Sequence, residues 1–108
     1  MPYPKAYKII SDAFLRPSTK TIWKFELEVT DNQYVNMPYG AELLSVQTQG
    51  TTPCLWALVD AKNPTEERHF EVFGTGHPVN CDMGIERKYI GTFQLSGGAT
   101  VFHLFERL

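Results

Sequence analysis

The sequence predicts an all-β domain, a small antiparallel barrel or sandwich of six to seven strands. Three observations carry this. Apolar and polar residues alternate with a period of two from Thr21 onward, turn signals recur at short intervals, and no interior stretch has a strong helical period. A barrel or sandwich is the natural closure, because it hides strand edges.

The chain has 108 residues, 43% of them hydrophobic. Size scaling gives about 6,100 Å² of folded surface against about 18,000 Å² extended, enough for one core and too little for a second catalytic domain. Charged residues make up 20% and aromatics 13%, which excludes a disordered composition. Ten basic residues against twelve acidic ones leave a net charge of −2, so no global excess of cations favours DNA. Cys54 and Cys81 are too few for a disulfide scaffold. No signal peptide is read at the N-terminus, and no run approaches the ~20 apolar residues of a membrane helix. These features point to a reducing, cytosolic setting without a membrane partner.

Residues 1 to 20 differ from the rest and read as an arm or extension. Tyr7, Ile10, Phe14 and Leu15 are spaced by threes and fours, which allows a short amphipathic helix over roughly Lys8 to Leu15. Ser11 and Asp12 favour an irregular arm instead. In both cases its apolar residues are expected to pack on the body or on a neighbouring subunit.

The strands follow in order. Trp23, Phe25, Leu27 and Val29 alternate with Lys24, Glu26 and Glu28, which predicts a half-buried strand with Trp23 and Phe25 in the core. Asp31-Asn32 turns the chain, and Gln33 to Met37 forms a short second strand ended by Pro38-Tyr39-Gly40. Leu43 to Gln49 is a third, with Leu44 and Val46 alternating against Ser45 and Gln47. Gly50-Thr51-Thr52-Pro53 turns it into Cys54 to Asp60, making an antiparallel hairpin. Ala61 to Glu67 is a polar loop, and Arg68 to Phe73 resumes strand character. After the break at 74–78, a loop runs to about Arg87. Lys88 to Leu95 and Thr100 to Glu106 close the sequence around Ser96-Gly97-Gly98-Ala99, whose Gly-Gly suits a two-residue primed turn.

Strands 54–59 and 101–105 are apolar on both faces. One small sheet usually leaves a face wet, so these strands imply that the outer face is covered by the arm or by another subunit. A homo-oligomer is the expectation. The alternative is a central strand pair within a closed two-layer sandwich.

Few constellations carry chemistry. His77, Cys81 and Asp82 share a loop, but neither a CxxC nor an HxxxH seed is present, so no metal is expected. His69, His77 and His103 lack a nucleophile elbow or a cysteine motif beside them. His103, between Phe102 and Leu104, reads as a packed or hydrogen-bonded sheet residue. No enzyme activity and no cofactor are therefore expected.

Gly74-Thr75-Gly76-His77-Pro78 is more informative. Its glycines let backbone N–H groups approach an anion, and Thr75 and His77 can donate to phosphate. It is no Walker loop. The competing reading is a structural turn at a barrel corner. Trp56, Tyr89 and Tyr39 lie near strand ends or loops, as do Tyr34 and Phe73, and nucleobases stack on such rings. Arg68 and Arg87, with Lys88, supply cations for phosphate.

Residues 20 to 106 as a whole resemble a family of short proteins encoded by phages and prophages. The resembling segments are Thr21-Ile22-Trp23-Lys24-Phe25, Met37-Pro38-Tyr39-Gly40-Ala41-Glu42-Leu43-Leu44-Ser45-Val46-Gln47, Leu55-Trp56-Ala57-Leu58-Val59-Asp60, Phe73-Gly74-Thr75-Gly76-His77-Pro78, Tyr89-Ile90-Gly91-Thr92-Phe93-Gln94 and Val101-Phe102-His103-Leu104-Phe105-Glu106. The family implies little settled function. In role and size class the chain is similar to phage anti-CBASS proteins, which bind a cyclic nucleotide immune signal without cleaving it. That likeness implies a sponge for a cyclic dinucleotide or related ligand, working in the cytoplasm of the infected bacterial host. Gly74 to His77 would then meet phosphate or ribose, Trp56, Tyr89 or Tyr39 a base, and Arg68 or Arg87 the charge. A protein-binding inhibitor of a host defence enzyme, a phage structural or assembly accessory protein, and an enzyme that degrades the signal are the other classes.

Overall fold

The structure, a computed structural model, describes residues 19–108. The expected arm over residues 1 to 20, apart from Thr19 and Lys20, and the Lys8 to Leu15 helix within it lie outside the described residues. From Thr21 the period of two becomes seven strands: β1 (Thr21–Glu26), β2 (Asn32–Pro38), β3 (Glu42–Gln49), β4 (Thr52–Val59), β5 (Thr65–Gly74), β6 (Arg87–Leu95) and β7 (Thr100–Arg107). They form two antiparallel sheets, ordered β1-β4-β3 and β2-β5-β7-β6. The fold is all-β, as the alternation predicts.

Of the two closures expected, the sandwich holds and the barrel does not. The sheets share one core, in which Val46, Leu55, Ala57 and Val59 of the first meet Met37, Phe70, Val72, Phe93 and Leu104 of the second. Along one side the edges β3 and β6 come together without a ladder: the Thr48 hydroxyl donates to the Gln94 carbonyl at 2.6 Å. On the other side β1 and β2 remain separate edges.

Two bulges shape that seam. In β3 the register shifts between Leu43 and Ser45, so Leu43 and Val46 share the core face, and the expected regular alternation of Leu44 with Val46 is broken. In β6 it shifts between Tyr89 and Gly91. An extra residue in one strand flips the face of everything after it.

Other expectations need correction. Trp23 is 40% exposed and Val29 is exposed, while Phe25 is half-buried; only Leu27 of that set is fully buried. The alternation was read correctly, but β1 is an edge strand, where the inward face overhangs the core. β5 begins at Thr65, inside the expected polar loop. The β6–β7 connection takes four residues, since Leu95 pairs with Thr100, and it is a 3-10 turn with positive φ at Ser96, Gly97 and Gly98. The β3–β4 hairpin forms as expected, with Gly50-Thr51 between the paired Gln49 and Thr52.

The two-faced strands resolve differently. On β4 the outward Cys54 and Leu58 are buried and Trp56 is half-buried. On β7 the outward residues are Val101, His103, Phe105 and Arg107, all half-buried by neighbours on the same sheet. That second face is a polar and aromatic network rather than a bare apolar surface.

Candidate functional site

The β6 bulge builds the site. In a regular strand residues 89 and 92 face opposite ways. The extra residue at Ile90 turns both Tyr89 and Thr92 outward, onto the face that carries His103 of β7 and Phe73 of β5. A hydrogen-bonded chain then runs from β6 across β7 to the loop that follows β5. Tyr89 Oη meets Thr92 Oγ1 at 2.5 Å, Thr92 Oγ1 meets His103 Nδ1 at 2.9 Å, and His103 Nε2 meets Thr75 Oγ1 at 2.7 Å. The Thr75 hydroxyl also donates to the Val101 carbonyl at 3.3 Å. Where the Thr75 hydroxyl donates to Val101, Thr75 Oγ1 accepts from His103 Nε2–H, His103 Nδ1 accepts from the Thr92 hydroxyl and Thr92 accepts from Tyr89; the other His103 tautomer reverses the chain.

An aromatic and ionic network flanks the chain. The Tyr89 and Phe73 rings each meet Phe105 edge-on, at centroid distances of 5.4 and 5.7 Å. The Arg87 guanidinium lies 5.3 Å from the Phe73 centroid, within cation–π range. Arg87 Nε donates to Glu71 Oε1 at 2.7 Å, and Arg107 reaches the other carboxylate oxygen at 3.5 Å. Arg87 and Arg107 stand directly opposite each other, and Glu71, only 6% exposed, neutralises them. A further bond from Arg87 to the Asn80 carbonyl ties down the 75–86 loop. A cleft of about 370 Å³ opens here, lined among others by Asn32, Glu71, His77, Asn80 and Arg87.

The Gly74–Pro78 loop is both a turn and one wall of a cleft. The His77 N–H donates to the Gly74 carbonyl at 3.0 Å, and the Thr75 N–H to Val101 at 3.2 Å. Gly76 adopts φ +86°, where a side chain would be strained. The His77 imidazole folds against Gly74 so closely that a Cβ there would lie 2.8 Å from Nδ1. Thr75's hydroxyl and two of the loop's N–H groups are thus engaged within the protein. The exposed His77 ring lines a cleft of about 280 Å³ together with Gly74 and Thr75, and its far wall is Thr100, Val101 and Phe102.

Six of the nine residues singled out in the sequence therefore share one region: Gly74, Thr75, Gly76, His77, Tyr89 and Arg87. The remaining three lie elsewhere. Trp56 sits on the outer face of the other sheet. Arg68 is six residues from Gly74 along β5, about 20 Å away at strand rise. It faces inward at the end of the core, with Nε and Nη2 donating to Glu106 at 2.6 and 2.8 Å and Nη1 to the Ala41 carbonyl. The Glu106 hydrogen bonds raise the Arg68 pKa; burial opposes this, and the charges of Glu106 and Glu66 add to it. Tyr39 and Arg68 line a separate cleft of about 520 Å³, together with Glu66, Glu67, Glu106 and Arg107. Its carboxylates make it a poor seat for phosphate.

Thr92, Phe105 and Glu71 were not foreseen as site residues, and His103 was foreseen only as a hydrogen-bonded sheet residue. The alternation Val101, His103, Phe105, Arg107 was the available signal for the β7 members. Thr92 had none, because its face depends on the bulge. The stack of Tyr34 on His69, with centroids 4.5 Å apart, was also missed. It follows from their direct pairing across β2 and β5.

Among the described residues, no group of three or more His, Cys, Asp and Glu side chains is placed to hold a metal ion, and no helix is long and apolar enough to cross a membrane. No curated protein and no solved structure matches the chain. Residues 18–108 match the model of a family described as a domain of unknown function, DUF7352, and the chain belongs to that family.

Proposed function

We propose that this protein is a non-catalytic binding protein for a small ligand that combines a flat ring with phosphate, such as a cyclic dinucleotide. The observation that supports it is the placement of Tyr89, 55% exposed, on the same three-strand face as His103 and the Gly74–His77 loop. The Tyr89 hydroxyl is tethered to Thr92 and its edge rests on Phe105, so one ring face is held ready for a base. Stacking of this kind contributes about 1–3 kcal/mol per base. Gly76 N–H and the His77 imidazole supply phosphate donors. Arg87 shapes the floor through Glu71 and Phe73 rather than meeting phosphate itself.

Sequestration suits the chemistry better than turnover. Both His103 nitrogens are held by threonine hydroxyls, and no carboxylate orients the ring as a general base would require. Together with the resemblance to phage-encoded proteins, this supports reading the ligand as a nucleotide signal of bacterial antiphage defence. The protein acts on it as a homo-oligomer.

Calorimetry of the purified protein with cyclic dinucleotides and cyclic ADP-ribose isomers tests the reading. Binding is expected for at least one ligand and is expected to weaken about tenfold or more in Tyr89→Ala, in line with the loss of one stacking contact. Chromatography of the denatured complex should return intact ligand. No heat and no shift in melting temperature across the panel would end the proposal.

A further inference from the structure

Among the described residues the outer edge of β1 carries no partner strand. In its sheet β1 is hydrogen-bonded only to β4. The Leu27 N–H bond to the Pro53 carbonyl, at 2.9 Å, continues the β1–β4 register and sets its phase. Residues of the same parity, Thr21, Trp23 and Phe25, exchange hydrogen bonds with β4. The N–H and C=O groups of Ile22, Lys24 and Glu26 therefore point away from the sheet. Among the described residues no strand pairs with them.

Ile22 is 58% exposed beside the exposed Trp23, and Lys20, Lys24 and Glu26 are exposed around them. We infer that two copies join through antiparallel β1–β1 pairing, with the two-fold axis at Trp23. In that register Ile22 of each copy faces Lys24 of the other in a hydrogen-bonded pair. Lys20 faces Glu26, so opposite charges meet twice. The two Trp23 residues form the close, non-hydrogen-bonded pair on the axis. Centring the axis on Lys24 would set two ammonium groups face to face. Centring it on Phe25 would run off the strand after Glu26. The self-complementarity therefore selects one register and gives a six-stranded sheet, β3-β4-β1-β1-β4-β3. This deepens the oligomeric part of the function proposed above and does not depend on the ligand.

Sedimentation of the full chain over a range of concentrations, up to about 100 µM, should show a dimer. Lys24→Pro removes one outward N–H and none that β4 uses, so it should give a folded monomer whose melting temperature no longer depends on concentration. Trp23→Cys in a Cys81→Ser background should cross-link to a disulfide dimer under mild oxidation. A close non-hydrogen-bonded pair has Cα atoms about 4.5 Å apart, within the range a disulfide spans. A wild-type monomer at every concentration would overturn the proposal, as would a Lys24→Pro dimer as tight as wild type. Failure of Trp23→Cys to cross-link a protein that still dimerises would overturn the register. Ligand calorimetry on the Lys24→Pro monomer reads the binding site separately.

Discussion

Gly91 meets Val46 across the β3–β6 seam so closely that a Cβ on Gly91 would lie 2.7 Å from Val46 Cγ1. Both residues lie beside the bulges that shape the seam, and Val46 is buried. Gly91→Ala should cost about 1–3 kcal/mol through overpacking. Adding Val46→Ala should recover part of that cost, giving a coupling of at least about 0.5 kcal/mol in a double-mutant cycle. Urea denaturation of the four proteins measures it, and strict additivity would show that the contact is relieved elsewhere.

Arg68 and Glu106 form an inward-facing ion pair at the end of the core, with side chains 17% and 8% exposed. Glu106→Gln leaves a largely buried guanidinium without its counter-charge and should cost about 3 kcal/mol. The apolar pair Arg68→Met with Glu106→Leu should restore most of it. The pH dependence follows from the raised Arg68 pKa. A group whose pKa is raised on folding contributes fully below its unfolded value, which for arginine lies far above neutral pH, and loses that contribution only as pH rises through the folded value. The stability difference between wild type and Arg68→Met should therefore be the same at about pH 7 and about pH 10.

His103 should be the Nε2–H tautomer when neutral. The Thr75 hydroxyl donates to Val101, which leaves its oxygen to accept from Nε2–H. Long-range proton–nitrogen NMR correlations distinguish the two tautomers, and an Nδ1–H ring would reverse the chain. Thr92→Val removes the donor to Nδ1 and the acceptor for Tyr89 together. It should cost about 1 kcal/mol and increase the mobility of the Tyr89 ring.

Glu71 binds two arginines unequally. Arg87 is the closer, at 2.7 Å, and it also holds the Asn80 carbonyl and covers Phe73. Arg107 reaches the carboxylate only at 3.5 Å and is more exposed. Arg87→Ala should destabilise by about 2–3 kcal/mol and speed proteolysis within residues 75–86. Arg107→Ala should cost less than about 1 kcal/mol. Equal effects would mean that the loop is held by contacts other than Arg87.

Particular residues show what could be read in advance. The β3–β4 hairpin was legible because Leu43 to Gln49 and Cys54 to Asp60 flank Gly50, which takes a positive φ. The 74–78 break was legible for the same local reason. Trp23 was misread because alternation gives the face of a strand and not its place in the sheet. Arg68 was read as a free cation, though its carboxylate partner lies 38 residues away on β7. In the sequence Tyr89 stands out for its ring alone, and nothing local links it to Thr75.

By itself, the sequence determined the all-β class, the places where the chain turns and the face polarity of the strands without bulges, because these follow from neighbours within a few residues. The tertiary structure decided that the sheets stop short of a barrel, that β1 is an edge, and which faces of the strands adjoin. It also decided which hydroxyls, imidazoles and carboxylates pair. Those outcomes depend on register, and a single extra residue at Ile90 was enough to put Tyr89, Thr92, His103 and Thr75 in one chain.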